Sequence, residues 1–538
     1  MASKPLLFQF PTKIGVRLGR NSFDRFTFDS DKLAYLDTRS PYTKLEYIQG
    51  SVGEGIFEGE FSRNIRPGWN AGIAYRRYSA NKQIGAASRR DGQVDDNGVK
   101  IYTHFQTSNN RYHLFANYLH MNQKFVETGG VRPNTGDGPD DLFDFLTENV
   151  NLTQAVGRDA RHSIHIGQTY ALFGEHLKLF HNLDERKQTN RFTDERLAYS
   201  QETIDSVLVS TLRFYPNKTN YDPNRTNDKS VYSELENTAG ITGIQKHYYY
   251  RAYLKHRYAR VTHLTPQKQT FNQVFTGGEG ELKFNEKIKG AFEGEYKIAD
   301  EYRTQATINF LFLGASQSRI SYSPSLMERA YFGNHHNWEN NFENTTGDRT
   351  AVWLQGKLWK NSLRLEVATN ALRNYIVYSQ DQTPKQISTT QRLNTVTADH
   401  KLGIGKFHWN NLVVYSQTTN SPYIRVPDWL IQSTAYFEGF IFRKALYGQI
   451  GVTGTYRSAY YGDAYMPALQ QFYLQDGFLL EAYPVVDVFI TADIKSLNVF
   501  LKLAHANEGL NGPGYFTAPY YPGMRRSFIF GVKWMFYD

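Results

Sequence analysis

Within residues 247–260, Arg251, Lys255 and Arg257 fall on one parity, with Tyr248, Tyr250, Ala252 and Leu254 on the other. On an extended strand successive side chains point to opposite faces, so the three cations share a face. In a water-filled lumen such a ladder would attract anions; its plainer reading is a solvated strand face. Two following runs carry the same kind of face. Lys287, Lys289, Glu293 and Glu295 alternate with Ile288, Gly290, Phe292 and Gly294, and Arg303 alternates with Tyr302 and Thr304. These eight charged residues are the candidates for lining a lumen.

Other groups that could do chemistry lack the spacing for it. Residues 136–144 hold Asp137, Asp140, Asp141 and Asp144, oxygen ligands of the kind Ca²⁺ takes. They lack the alternating ligands, the Gly and the closing Glu of an EF-hand loop, and read more simply as a polar loop capping a short helix-like run over 141–146. His162 and His165 lie on opposite faces if the segment is a strand. There is no H-E-x-x-H, G-x-S-x-G or phosphate-cradling loop. The absence of cysteine removes disulfides, thiolate metal sites and cysteine nucleophiles together. No catalytic, cofactor-binding or metal residue is assigned, and an enzyme is not expected.

The elements that would position the charged faces are strands. Residues 287–298 set Ile288, Gly290, Phe292, Gly294, Tyr296 and Ile298 against Lys287, Lys289, Ala291, Glu293, Glu295 and Lys297. After residues 299–301 the pattern resumes, with Tyr302, Thr304, Ala306, Ile308, Phe310 and Phe312 against Arg303, Gln305, Thr307 and Asn309. That is a hairpin with a short turn. Period-2 alternation recurs at Phe57–Phe61, Trp69–Tyr75, Tyr112–Tyr118, Leu363–Val367, Leu446–Tyr456 and Val486–Leu503. Short turns alternate with long polar connections near 81–97, 122–159, 187–203, 215–231, 321–349, 381–397 and 458–483. Short turns at one end and long loops at the other is the arrangement of outer-membrane barrels.

Composition agrees. Aromatic residues make up 15% of the chain, with Tyr 38 and Phe 36. Tyr and Trp gather where one end of the ring is apolar and the other wet. Mean hydropathy is nevertheless −0.56. A barrel reconciles the two, because lipid-facing and lumen-facing residues alternate along every strand. No apolar run approaches the roughly 18 residues of a spanning helix. Met1-Ala2-Ser3-Lys4-Pro5 is followed by no apolar signal region, so a secretory signal is expected upstream or already removed. The net charge of +9 is scattered rather than gathered into a patch, and no nucleic-acid partner is expected.

The C-terminal run 527–537 alternates Phe528, Phe530, Val532, Trp534 and Phe536 with Ser527, Ile529, Gly531, Lys533 and Met535. Gly531, Trp534 and Phe536 resemble the terminal signal read by barrel-assembly machinery. The segments Glu508–Tyr515, Pro519–Pro522 and Arg525–Asp538, with Tyr483–Phe489, Asn110–Tyr118 and Gly129–Val131, together resemble the Bacteroidota-type putative porin family. The resemblance implies an outer-membrane barrel with a pore function and brings no catalytic motif.

The expectation is therefore an all-β protein: a single transmembrane antiparallel β-barrel over 43–538, of roughly 18–24 strands. Residues 1–42 are an irregular lead or plug, with 8–10 and 14–18 as candidate short strands. The expected function is passive diffusion of small hydrophilic solutes, with a weak anion preference; the alternative is a structural barrel in a secretion or assembly complex. The expected partners are outer-membrane lipid, the assembly machinery, and a further copy or accessory outer-membrane proteins. No cofactor is expected.

Overall fold

The structure, a computed structural model, describes residues 2–86, 88, 91–134, 136–138, 140–143, 145, 149–204, 207–441 and 446–537. Among them 22 strands pair antiparallel, each with its neighbours along the chain. The first and last strands close the ring, Tyr42–Gln49 lying against Ser527–Tyr537 in the register Tyr42↔Tyr537 to Gln49↔Phe530. Closure is what lipid demands, since an open edge would leave N–H and C=O groups without partners.

The alternation read from the sequence decides the facing. Ile308, Phe310, Phe292 and Val367 are more than half exposed. Large apolar side chains thus point away from the protein, the reverse of a soluble core and the normal outer surface of a membrane barrel. The cross-strand pairs Glu295↔Arg303 and Glu293↔Gln305 put the charged face inside. Inward aromatic rings lie flat over glycines of the next strand. A Cβ at Gly72 would collide with the Tyr102 ring, and one at Gly531 with Phe500. Glycine is required there so that the ring can lie against the wall.

The two ends differ as expected. The turns 67–68, 311–312, 359–360 and 495–496 are of two residues, and Leu311, Trp359 and Lys495 take φ of 56°, 55° and 56°. Such left-handed turns match the twist of the flanking strands. These turns share an end with both termini of the sheet. The long connections, 128–154, 195–225, 323–344, 374–390, 458–482 and 505–526, all leave from the other end.

Two expectations need correction. Residues 187–203 are not one loop: Leu177–Asp194 is a single 18-residue strand and Tyr199–Ile204 begins a small hairpin. Its neighbours Ala155–Phe173 and Thr226–Ile244 have 19 residues each. The wall here stands well above the bilayer, so its outer face turns polar and reads as loop. Second, 8–10 and 14–18 form no strand. The segment ahead of Tyr42 instead runs inside the ring, held by side-chain contacts. Phe8 packs with Leu372, Leu393 and Ile424, Ile14 with Phe275 and Ile320, and Phe23 with Phe125. It descends past Tyr35, which accepts a hydrogen bond from Asn117, to the start of the first strand.

Candidate functional site

Opposite charges from nearby strands meet on the inner face, and this pairing builds it. Arg257 meets Glu236 at 2.7 Å, and Lys255 meets Glu295 at 2.6 Å and Glu236 at 3.9 Å. Arg251 lies 3.6 Å from Glu279, and Arg303 lies 3.2 Å from Glu293. The ladder is thus a lattice in which each of these cations faces a carboxylate. Two of its members are covered: Arg257 donates to the carbonyls of Ile14 and Val16 in the amino-terminal segment, and Lys255 and Arg257 sit over the Phe275 ring. Lys289 is exposed on the inner face near the turns, and Lys287 lies in the turn before its strand. Glu236 and Glu279 escaped the sequence reading. Their strands alternate, but nothing along the chain tells which residue faces which across the ladder.

The same mixture continues around the ring. Lys44 joins Glu46 at 3.1 Å and Glu58 at 3.3 Å, with Lys100 3.5 Å from Glu58. Arg349 and Arg364 each lie 2.7 Å from Glu366. Of the two histidines, His165 faces inward with Nδ1 2.9 Å from Asp184, and His162 lies 3.6 Å from Glu185 on the outer face.

The external mouth is built differently. Residues 458–482 leave the strand Leu446–Arg457 and cross the lumen to the far wall. There the Gln470 Oε1 accepts from Asn190 Nδ2 at 2.9 Å and from Arg20 at 3.1 Å, while Ser22 donates to the Gln470 carbonyl at 2.6 Å. This strap packs Met466 and Leu469 against Leu18, Phe192, Leu264 and Met327, so strap, amino-terminal segment, wall and two further loops share one dry cluster. Polar contacts tie the loops to one another. Asn334 Nδ2 donates to the Asp222 carbonyl at 2.8 Å, and the His335 Nδ1 donates to the Lys218 carbonyl at 3.1 Å. His335 stacks on Tyr215 at 4.1 Å, and burial lowers the pKa values of His335 and His336 to about 4.

In the acidic loop, Asp141 Oδ2 accepts from the Gly138 N–H at 2.8 Å beside the short 3-10 turn Asp141–Phe143. Asp144 lies outside the described residues. Among those described, no three His, Cys, Asp or Glu converge as metal ligands. In the closing strand Trp534 and Phe536 lie on the outer face with ring centroids 4.2 Å apart, and Gly531 faces inward beneath Phe500.

The model of the family described as Putative porin matches residues 1–538. No curated protein matches the sequence. Solved structures share the fold. The FrpB iron transporter from Neisseria meningitidis aligns with a TM-score of 0.65 at 10% identity, over 93% of this chain and 83% of its own. The siderophore receptor PirA from Acinetobacter baumannii gives 0.65 at 10% identity, over 94% and 81%. A mutant of the ferric enterobactin receptor PfeA from Pseudomonas aeruginosa gives 0.65 at 10% identity, over 92% and 80%. At this identity the likeness concerns the fold alone.

Proposed function

We propose, from the premise that this chain belongs to the putative porin family, that it is an outer-membrane channel through which small hydrophilic solutes diffuse passively. The observation that carries this reading is the balanced, charged inner face of the wall. Arg251–Glu279, Arg303–Glu293 and Lys44–Glu58 suit hydrated solutes rather than an apolar ligand. A ring of 22 strands is wider than such solutes need. The passage is then set at the mouth by the strap and the amino-terminal segment. Because the ladder cations are matched by carboxylates, any anion preference is small. The channel carries out no catalysis, and the outer face of Trp534 and Phe536 is the part offered to the assembly machinery.

Conductance in a planar bilayer under a salt gradient tests the proposal. Stable open steps with a small reversal potential support it, and a silent barrel shown to be folded and inserted overturns it.

One observation favours the rival role of a structural barrel in a larger complex. The external loops are locked to one another by contacts such as Asn334–Asp222 and Arg425–Asp476, giving a fixed surface to dock on. Gentle extraction with mass spectrometry separates the two. A stoichiometric set of partner proteins favours the complex; a lone barrel or a homo-oligomer favours the channel.

A further inference from the structure

The wall that rises above the bilayer carries a row of cations on its outer face. Lys124, Arg158, Arg191 and Lys229 stand directly opposite one another on four neighbouring strands, in the pairings Lys124↔Arg158, Arg158↔Arg191 and Lys229↔Arg191. Each is the fourth residue from the external end of its strand, and all four are exposed. With strands about 4.8 Å apart, the row is roughly 14 Å wide. Four residues nearer the turns, about 13 Å along the strands, Lys187 and Arg260 flank Ser233 on the same face. Two residues further down, the exposed side chains turn apolar, with Tyr118, Ile164, Leu235 and Tyr258 at one level. Glu185 interrupts that level and lies 3.6 Å from His162.

Like charges directly opposite on a sheet repel. The inner face matches its ladder cations with carboxylates, and the outer row does not. Among the described residues, none of the six outer cations forms an ion pair. Arg191 donates to Asn227 at 2.8 Å, and Asp95, opposite Lys124 at the end of the row, is held by Arg77 at 3.2 Å. A shared anion relieves the repulsion, and phosphate suits it: Arg grips two of its oxygens at once and Lys adds a point charge. The patch continues the lipid-facing wall upward, so the phosphate belongs to a lipid. Its height says which kind. The upper row stands six residues above the apolar level, about 20 Å along the strands and roughly 15 Å in height at the tilt of such barrels. The headgroup layer of a phospholipid is only about 5–8 Å deep and reaches Lys187 and Arg260 but not the upper row. A headgroup that meets both tiers is a tall saccharide carrying more than one phosphate.

We propose that this face binds an outer-leaflet glycolipid whose saccharide headgroup carries phosphates at two heights, the lower held by Lys187 and Arg260 and the upper by Lys124, Arg158, Arg191 and Lys229. The inference rests on the outer-membrane placement of the barrel and not on conduction.

The test uses the full chain folded in a nonionic detergent, with lipopolysaccharide of phosphorylated core as the probe and native mass spectrometry as the readout. The chain should carry bound glycolipid. The same lipopolysaccharide stripped of its phosphates, and phosphatidylglycerol, should each bind about tenfold more weakly or less. Arg158→Gln/Arg191→Gln should weaken binding of the intact probe by about tenfold. Arg392→Gln, which removes an exposed cation from the outer face of another strand, Gln391–Ile404, should leave it unchanged. Folding of each variant is checked by its heat-dependent shift on a gel; should the double variant misfold, the contrast among the three lipids on the unaltered protein decides. No bound glycolipid, equal binding after phosphate removal, equal binding by the folded double variant, or an equal loss from Arg392→Gln would overturn the proposal. Phosphatidylglycerol bound as tightly would overturn it too, since an ordinary phospholipid headgroup would then suffice. None of these results bears on the conductance test.

Discussion

At the external end, Phe192, Leu264, Met327 and Leu469 come from one strand and three loops and meet out of water. At the turn end, inward positions of neighbouring strands carry Arg251, Glu279, Glu293 and Lys289, part-exposed or exposed. Both regions obey one rule of alternation along their strands. They differ in what lies over the inner face. Where loops and the amino-terminal segment fold back, the lumen becomes a small protein core. Where nothing folds back, it stays a wet, charge-lined vestibule. Inward position alone therefore does not make a residue part of a passage: Arg257 faces inward, yet it is bonded to Ile14 and Val16 and covered.

The strongest way to break this contrast is to remove the strap. Replacing residues 463–475 by a short Gly-Ser link should raise single-channel conductance severalfold. Unchanged conductance would mean that the mouth does not set the passage.

Next in size is a charge placed in lipid. Ala306 lies mid-strand on the outer face of Glu301–Phe310. Ala306→Arg should cost about 2–4 kcal/mol of barrel stability in lipid unfolding experiments. Thr307→Arg, facing the lumen, should cost much less. Phe310→Arg, one residue before the turn, should cost about 0–1 kcal/mol. The reverse order would show that the facing is misassigned.

Acid should loosen the capped end and spare the vestibule. His335 and His336 are held neutral, with pKa values lowered to about 4. A histidine in the unfolded chain titrates near ~6.5. The unfolded chain therefore takes up protons first as pH falls. The stability these two residues contribute is whole above about pH 6.5 and drains away toward pH 4, on the order of 3 kcal/mol each at the acid end. The melting temperature should fall between pH 7 and pH 4.5, and a His335→Gln/His336→Gln variant should show a flatter profile. Parallel profiles would place the acid sensitivity elsewhere.

The smallest effect belongs to the ladder. Lys255→Gln leaves Glu295 without its 2.6 Å partner and should move the reversal potential slightly toward cations. Lys289→Gln, in the open vestibule, should move it in the same direction. A large shift from Lys255→Gln alone would mean that this covered pair stands in the solute path after all.

Much of the wall was legible. The alternation at 287–298 and 302–312 gave the hairpin and its facing, because a period of two survives any register. The closing strand was legible for the same reason, Phe528, Phe530, Trp534 and Phe536 falling on a single parity. The tall wall was misread, because a strand rising out of the bilayer loses the apolar half of its pattern. The carboxylates Glu236 and Glu279 were missed, because pairing across strands joins residues that lie far apart along the chain, as with Arg257 and Glu236 or Arg251 and Glu279.

What the sequence determined by itself was the alternating strand, the asymmetry between short turns and long loops, and a terminal strand fit to close a ring. Each is a local pattern, set by which side of a strand meets lipid. Only the tertiary structure decided that the count is 22, that residues 458–482 cross the lumen, and that the segment before Tyr42 lies inside the wall. Those outcomes rest on contacts between distant parts of the chain, Gln470 with Asn190 and Ile14 with Phe275. Neither partner carries a local signal of the other, because their fit depends on the curvature of a closed ring that no single strand encodes.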